Sequence, residues 1–171
     1  MSDSPSMRKS NAFTLIELLI VIAIIGILMS LLFPAVNSAI DAARKAQAKN
    51  DVTQIAAAVI AYETEYGKLP LPTTTTVDTA LVRILAGLDT SATNNPRGIV
   101  FLEVSTAKKG KSGTNASGDF VDPWTNTYKI AMDSDYDNSV TAKGTNLRKK
   151  VAVWNEPTGT SSNRRAVTSW E

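Results

Sequence analysis

The chain has 171 residues, of which 43% are hydrophobic and 20% are charged, and this balance excludes wholesale disorder. Its 18 Lys and Arg against 16 Asp and Glu give a net charge of +2, which is too even to indicate a nucleic-acid-binding protein from electrostatics alone. It contains neither Cys nor His, which excludes disulfides, metal sites built on thiolate or imidazole, and catalysis that depends on either side chain.

The first predicted element is a membrane helix. Residues 13–33 form an apolar run with a single charge, Glu17, and a helix of that length spans about 30 Å, the thickness of a bilayer's hydrocarbon core. Arg8 and Lys9 precede the run and favour a cytoplasmic location for residues 1–12. The run is longer than the hydrophobic region of a cleaved secretory signal, and no convincing cut site of small residues follows it. A retained membrane helix is therefore favoured over a signal peptide.

Glu17 needs its own explanation, because a carboxylate at the centre of a membrane helix costs about 2.5–3.5 kcal/mol. One explanation is that Glu17, near the start of the run, reaches back to the membrane interface. The other is that a cut between Ala12 and Phe13 creates a free amine at Phe13. That amine could pair with Glu17 of a neighbouring parallel helix and set the axial stagger of an assembly.

The segment KSNAFTLIE, residues 9–17, followed by the long apolar run, resembles the N-terminus of type IV prepilins and type II secretion pseudopilins. The resemblance implies that a dedicated membrane peptidase, the prepilin peptidase, cuts between Ala12 and Phe13. It also implies that the new Phe13 amine is N-methylated and that Glu17 guides assembly and register.

The resemblance further implies a helix bend, with Gly26 in mid-span and Pro34 just after the apolar core. One position departs from the family pattern, because the residue before the cut is usually Gly and here is Ala12. Either Met1 or Met7 could be the true start, the second giving a short leader from Met7 to Ala12.

The helix is predicted to continue through residues 35–66, which contain neither Gly nor Pro and end before Gly67. Residues 41–51 are polar enough to lie in water or in a headgroup layer. Beyond them, an apolar stripe recurs at helical spacing and predicts a face that packs on a domain: Val52, Ile55, Val59, Tyr62 and Tyr66.

After the helix, residues 67–97 are predicted to form a connector that contains a short helix over Val77–Ala86, with Asp78 near its start. Three strands are predicted in the remainder, residues 98–171: Ile99–Val104, Thr127–Met132 and Val151–Trp154. Three short strands need the apolar helix stripe as a cover.

The predicted fold class is therefore α+β, and the resemblance implies the pilin fold. A long kinked N-terminal helix, membrane-spanning over residues 13–34, packs its second half, residues 35–66, on a small antiparallel sheet. In this scheme residues 1–12 are a cytoplasmic leader and residues 35–171 form the periplasmic domain.

A second resemblance lies in the predicted sheet. The segment DPWTNTY, residues 122–128, resembles the Asp-Pro-Trp-Gly-x-x-Tyr turn of the major pseudopilin of type II secretion, with Thr125 in place of Gly. The step YGKLP, residues 66–70, and the segment VAVW, residues 151–154, also match. These matches, and the lack of Cys, favour a major-pseudopilin-like subunit over a pilus pilin.

Metal binding has two candidate places. The resemblance implies a calcium ion in the C-terminal loop, but after Trp154 this chain carries Arg164 and Arg165, so that site is not expected here. Elsewhere Asp133, Asp135 and Asp137 place three carboxylates at every second position, a spacing that suits calcium. The pattern is not that of an EF-hand, and an acidic surface turn is the favoured interpretation of it.

No enzymatic motif is present, and the chain is interpreted as a non-enzymatic structural subunit. The resemblance implies a type II secretion pseudopilus in the bacterial inner membrane, a helical filament of copies of this chain that aids protein export. Its further partners would be minor pseudopilins and the inner-membrane assembly platform. One alternative is a type IV pilus pilin acting in adhesion, motility or DNA uptake, and another is an unprocessed single-span protein with a periplasmic domain. Nucleic-acid binding is not expected, although basic clusters lie at residues 108–111 and 148–150.

Overall fold

The computed structural model describes residues 13–71, 73–158 and 165–170, and it divides the chain into two units between Ile40 and Asp41. Helix α1, Leu15–Tyr66, belongs to both. Gly67, the next residue, has a φ of +66°, and its N–H donates to the carbonyl oxygen of Glu63 at 2.8 Å. This left-handed glycine cap ends the helix, so the predicted end of the helix is confirmed.

The second half of α1 supplies one wall of the hydrophobic core. The predicted apolar stripe is confirmed, because Val52, Ile55, Val59 and Tyr62 are buried and Tyr66 packs partly buried against them. The expectation that residues 41–51 lie in water or in a headgroup layer is wrong for Ala48 and Asp51, which are also buried. The buried face extends one helical turn further back than its apolar residues indicate.

Helix α2, Thr79–Leu85, confirms the predicted short helix. Asp78 is its N-cap, and its side chain accepts a hydrogen bond from the backbone N–H of Leu81 at 3.0 Å. The apolar face of α2 joins the core cluster to which α1 contributes.

The predicted strand at Ile99–Val104 is wrong. The backbone N–H groups of Phe101 and Leu102 both donate to the carbonyl oxygen of Leu85, at 2.8 and 3.0 Å. They therefore satisfy the C-terminal end of α2 rather than a strand partner, while the buried Leu102 side chain accounts for the apolar pattern.

Six short strands form three antiparallel pairs within the described residues. These are β1, Gly113–Thr114, with β2, Phe120–Val121; β3, Lys129–Met132, with β6, Val151–Trp154; and β4, Val140–Ala142, with β5, Thr145–Leu147. The pairing of β3 with β6 places Ile130 opposite Val153 and Met132 opposite Val151. The α+β class is confirmed, with small sheets in place of the one expected.

Strand β6 is buried on both faces. Val151 and Val153 join the core cluster that contains the α1 stripe, whereas Ala152 and Trp154 join a smaller cluster beside β4. The chain end covers the β6 edge, where the backbone N–H of Ser169 donates to the carbonyl oxygen of Val153 at 2.8 Å. This double burial explains why β6 reads as a continuous apolar run.

Candidate functional site

The described chain begins with a local capping arrangement at the start of α1. One carboxylate oxygen of Glu17, Oε2, accepts hydrogen bonds from the backbone N–H of Thr14 at 2.9 Å and from its hydroxyl at 2.7 Å. The Thr14 hydroxyl in turn accepts from the Glu17 N–H at 3.3 Å. This is a capping box, and the spacing Thr-x-x-Glu is its sequence signature, which the sequence analysis did not use.

The predicted cleavage position lies at the limit of what is described. Phe13 is the first described residue and is 79% exposed, while Ala12 and the rest of the predicted leader lie outside the described residues. Cleavage between Ala12 and Phe13 and methylation of Phe13 therefore stay predictions.

The apolar segment of α1 has no protein cover in the single chain. Residues 13–40 are all exposed, and the large side chains between Leu15 and Phe33 expose between 46% and 82% of their surface. By length and composition, α1 is the one helix among the described residues that could cross a membrane, with a mean hydropathy of 2.9 over 18 residues. So continuous an apolar surface indicates contact with lipid or with other protein chains.

Gly26 and Pro34 both lie inside α1. A Cβ atom added at Gly26 would meet no atom within 4 Å, so packing inside one chain does not require glycine there. Pro34 lacks an N–H, so the carbonyl of Ser30 loses its helical donor. The predicted bend at these two residues stays a prediction.

The DPWTNTY segment forms a tight turn around the buried carboxylate of Asp122. Asp122 Oδ1 accepts from the backbone N–H groups of Trp124 and Asn126 at 2.9 and 2.8 Å, and Oδ2 accepts from Asn155 Nδ2 at 2.9 Å. Thr125, which stands where the resembling family has Gly, has a φ of +73°. The turn thus places Thr125 in a backbone region that favours glycine.

Tyr128, at the end of the same turn, is tied to α1 by a buried hydrogen bond. Its hydroxyl donates to Asp51 Oδ2 at 2.8 Å. Burial raises the pKa of Asp51, while its hydrogen bonds with Ser112 and Tyr128 act in the opposite direction. Burial, and then the nearby Asp51 charge, also raise the pKa of Tyr128 far above its usual range. Sequence reasoning missed this pair because Asp51 lies in a polar stretch.

The three aspartates of the predicted metal cluster do converge. Each of Asp133, Asp135 and Asp137 places a carboxylate oxygen within 4.8 Å of the others. Asp133 is buried, and its two oxygens accept from the backbone N–H groups of Asp137 and Asn138 at 3.0 and 2.8 Å. Asp135 and Asp137 are exposed and border an open groove of about 630 Å³ that Lys129 and Trp154 also line.

These carboxylates fit a calcium ion by donor type, since oxygen ligands are what calcium takes. They equally fit an acidic turn without metal, because the buried member, Asp133, already accepts two backbone hydrogen bonds that hold the turn. The predicted absence of the C-terminal calcium site concerns a loop that the structure describes only in part. Its Arg165 lies 3.6 Å from Asp41 and stacks 5.4 Å from the Trp124 ring centre.

Two comparisons with known proteins converge on the same group. Residues 7–33 match the family model of the prokaryotic N-terminal methylation motif. The chain is 34% identical over 122 residues to type II secretion system core protein G of Pseudomonas aeruginosa, an alignment that covers 71% of this chain and 73% of that protein. No solved structure matches the chain.

The methylation motif covers the start of α1, and the alignment with the Pseudomonas protein covers most of both chains. The chain therefore belongs to the family of type II secretion system core protein G, the major pseudopilins.

Proposed function

We propose that this chain is a structural subunit of a type II secretion pseudopilus. It is inserted in the inner membrane as a prepilin, cut before Phe13, N-methylated there, and assembled through α1 into a helical filament. The observation that carries the proposal is the exposed apolar surface of residues 13–33, with a single carboxylate, Glu17, near its start.

The apolar surface needs a cover in both states of the subunit. A bilayer supplies it while the chain is inserted, and neighbouring copies of α1 supply it in the filament. Lipid tails are as apolar as these side chains, so burial alone does not favour the filament. Close packing and polar contacts between helices must supply the difference, which is why the charged Glu17 matters.

Glu17 has an oxygen to spare for such a contact. Both of its hydrogen bonds to Thr14 use Oε2, and Oε1 has no hydrogen-bond partner among the described residues. A free amine at Phe13 of a neighbouring copy would fit Oε1 as a cation. In a site without water, this ion pair would favour one axial register over others.

The remaining parts of the proposal follow from family membership and the sequence. The partners would be other copies of this chain, the prepilin peptidase, minor pseudopilins and the inner-membrane assembly platform. The unit that begins at Asp41 would stand in the periplasm, on the side away from Arg8 and Lys9. Its role would be mechanical and not enzymatic.

Two matched variants separate the charge of Glu17 from its capping role. Glu17→Gln keeps a side chain that serves in a capping box but removes the charge, whereas Thr14→Ala removes the capping partner and keeps the charge. Each variant is produced with the complete secretion apparatus, and the filament fraction is sheared, pelleted and quantified by immunoblot. We expect Glu17→Gln to lower the filament fraction about tenfold or more, the result of losing about 1.4 kcal/mol per contact.

Thr14→Ala is expected to assemble within about twofold of the unaltered chain. Losing the cap costs about 1 kcal/mol of helix stability in water, but the charge of Glu17 stays available for the ion pair. Both variants must reach the membrane in equal amounts, which an immunoblot of the membrane fraction checks. Normal filaments from Glu17→Gln would contradict the assembly role of the charge. A loss confined to Thr14→Ala would assign Glu17 to capping alone.

A further inference from the structure

A lysine-rich turn, residues 108–111, lies at the surface of the second unit. Lys108 and Lys111 bridge to each other, with the Lys111 N–H donating to the Lys108 carbonyl oxygen at 2.8 Å, and Gly110 takes a φ of +76°. Lys108, Lys109 and Lys111 are all exposed. The turn therefore presents three ammonium groups in four consecutive residues.

Two contacts place this turn against the first part of α1 in the second unit. The Arg44 guanidinium packs over Gly110, where an added Cβ would lie 2.9 Å from Nη2. Gln47 Nε2 donates to the hydroxyl of Ser112 at 2.7 Å. The turn thus lies beside residues 44–47, which follow the apolar segment closely in the sequence.

The charges gathered here are almost all positive. Asp41 lies 3.9 Å from Arg44 and 3.6 Å from Arg165, and it is the acidic partner of both. Within the described residues, none of the exposed lysines of the turn, nor the exposed Lys45, takes part in an ion pair. We call this set the basic collar: Arg44, Lys45, Lys108, Lys109, Lys111 and Arg165.

We propose that the basic collar binds the headgroups of anionic phospholipids in the leaflet from which α1 emerges. The inference rests on the proposed function, because it concerns the chain while it is inserted in the membrane. It adds a second membrane contact to the apolar helix, made by the folded domain itself.

The position of the collar in the chain favours this partner. Arg44 and Lys45 follow Phe33, the end of the apolar run, by 11 and 12 residues. Cations so soon after a membrane segment are attracted to the surface of anionic lipids, where each gains favourable energy. Gly110 of the lysine-rich turn lies against Arg44, which brings the turn to the same part of the domain.

Nucleic acid fits the collar less well. Binding of single strands uses exposed aromatic side chains between the cations. Residues 105–114 include no aromatic residue, and Trp124, whose ring lies under Arg165, is partly buried. Duplex binding would need a surface that lies away from the bilayer, whereas Arg44 and Lys45 of the collar follow the apolar run by 11 and 12 residues. A lipid headgroup needs cations alone.

Fluorescence quenching by lipid tests the proposal on the full chain. Because the chain has no Cys, Ser105→Cys gives a single labelling site next to the turn for an environment-sensitive dye. The labelled chain is reconstituted into vesicles of phosphatidylcholine alone or with about 30% phosphatidylglycerol, each containing headgroup spin-labelled phosphatidylcholine. We expect about threefold stronger quenching with the anionic lipid in about 0.1 M salt, and loss of the difference in about 1 M salt, where the Debye length is about 3 Å.

Charge-removing variants locate the contact. Lys108→Gln, Lys109→Gln and Lys111→Gln together are expected to abolish the difference between the two vesicle types. The matched control, Lys143→Gln with Arg148→Gln and Lys149→Gln, removes three exposed cations outside the collar and is expected to keep the difference. Equal quenching in both vesicle types, or an equal loss in the control, would overturn the proposal.

The same samples separate this inference from the proposed function. A chain that stays in vesicles after an alkaline wash, yet is quenched equally by both compositions, overturns the lipid contact and leaves membrane insertion intact. A chain released by the wash contradicts insertion itself. Salt-sensitive binding of a labelled DNA duplex by the collar, with equal quenching in both vesicle types, would overturn the lipid assignment in favour of nucleic acid.

Discussion

At the scale of single residues, the second unit contains side chains whose geometry departs from their ordinary preferences. Thr125 is β-branched and yet lies at a φ of +73°, a region where such residues are rare. The surrounding turn holds Thr125 in this conformation, because Asp122 accepts hydrogen bonds from the backbone N–H groups of the residues on either side, Trp124 and Asn126. The resemblance to Asp-Pro-Trp-Gly-x-x-Tyr predicts a turn at these residues, and the positive φ of Thr125 explains why that pattern has Gly at this position.

Thr125→Gly is expected to raise the free energy of unfolding by about 1 kcal/mol, because it relieves the left-handed strain. The gain is net of the entropy that glycine adds to the unfolded chain. Urea denaturation of the detergent-solubilised chain, followed by tryptophan fluorescence, measures it. Thr125→Ala, which keeps a Cβ but removes the β-branch, is the control and is expected to gain less than Thr125→Gly. A lower stability for Thr125→Gly would contradict this account of the turn.

Asp51 makes the stability depend on pH in a defined direction. Because burial raises the pKa of Asp51 above its ordinary value, the folded chain binds this proton more tightly than the unfolded chain does. The stabilisation is present below the unfolded pKa and is lost as the pH rises through the folded pKa. Asp51→Asn keeps an oxygen that accepts from the Tyr128 hydroxyl, but it has no charge to bury. The melting temperature of the variant minus that of the unaltered chain should therefore be more positive at about pH 7 than at about pH 4.

Asp89 is a control, because its contribution to stability depends on pH in the opposite direction. Hydrogen bonds from Asn94 and Ser91 lower its pKa, so its contribution is present above its unfolded pKa and is lost as the pH falls through the folded value. Asp89→Asn should therefore cost stability at about pH 7 more than at about pH 3. An Asp51→Asn difference that is the same at both ends of the pH range would contradict the raised pKa.

At the scale of elements, the long helix and the strands β3 and β6 could be predicted because their signals are local. Helix α1 has its stripe and its glycine stop, and β6 has its apolar run. The segment 99–104 could not be predicted, because an apolar run does not reveal that its N–H groups close the end of α2. Strands β1, β2, β4 and β5 have two or three residues each, too few to display a period of two. The β4–β5 turn depends on left-handed Lys143 and Gly144.

The buried stripe of α1 is expected to carry much of the stability of the second unit. Ile55→Ala should lower the free energy of unfolding by about 2–4 kcal/mol, because Ile55 is fully buried and its removal leaves a cavity. Ile60→Ala on the same helix is the matched control, since Ile60 is 45% exposed, and it should cost less than about 1 kcal/mol. Urea denaturation measures both, and equal losses would contradict the assignment of the buried face.

The acidic turn after β3 offers a test of metal binding. Calcium binding by the three aspartates would raise the melting temperature in millimolar calcium relative to a chelator, by mass action on the folded state. Asp135→Asn should remove that increment and leave the melting temperature in chelator unchanged, because Asp135 is exposed. Asp133→Asn should destabilise the chain even in chelator, since its carboxylate holds two backbone N–H groups. Identical melting in calcium and chelator would leave the cluster as an acidic turn.

At the scale of the whole molecule, some features of the candidate site could be predicted because their sequence signals are local, and others could not. The apolar run and Glu17 could be read directly, and the capping box was readable as Thr-x-x-Glu. The Asp51–Tyr128 hydrogen bond and the packing of Arg44 over the lysine turn could not be predicted. Each joins residues far apart in the chain, and nothing in their local patterns links them.

In the proposed function, the chain is processed as a prepilin so that Phe13 and Glu17 can direct assembly. N-terminal sequencing and intact mass of the native protein, extracted from membranes, test this processing. We expect a chain that begins at Phe13 and is heavier by one methyl group. A chain that still begins at Met1 or Met7, in cells whose prepilin peptidase is active, would contradict it.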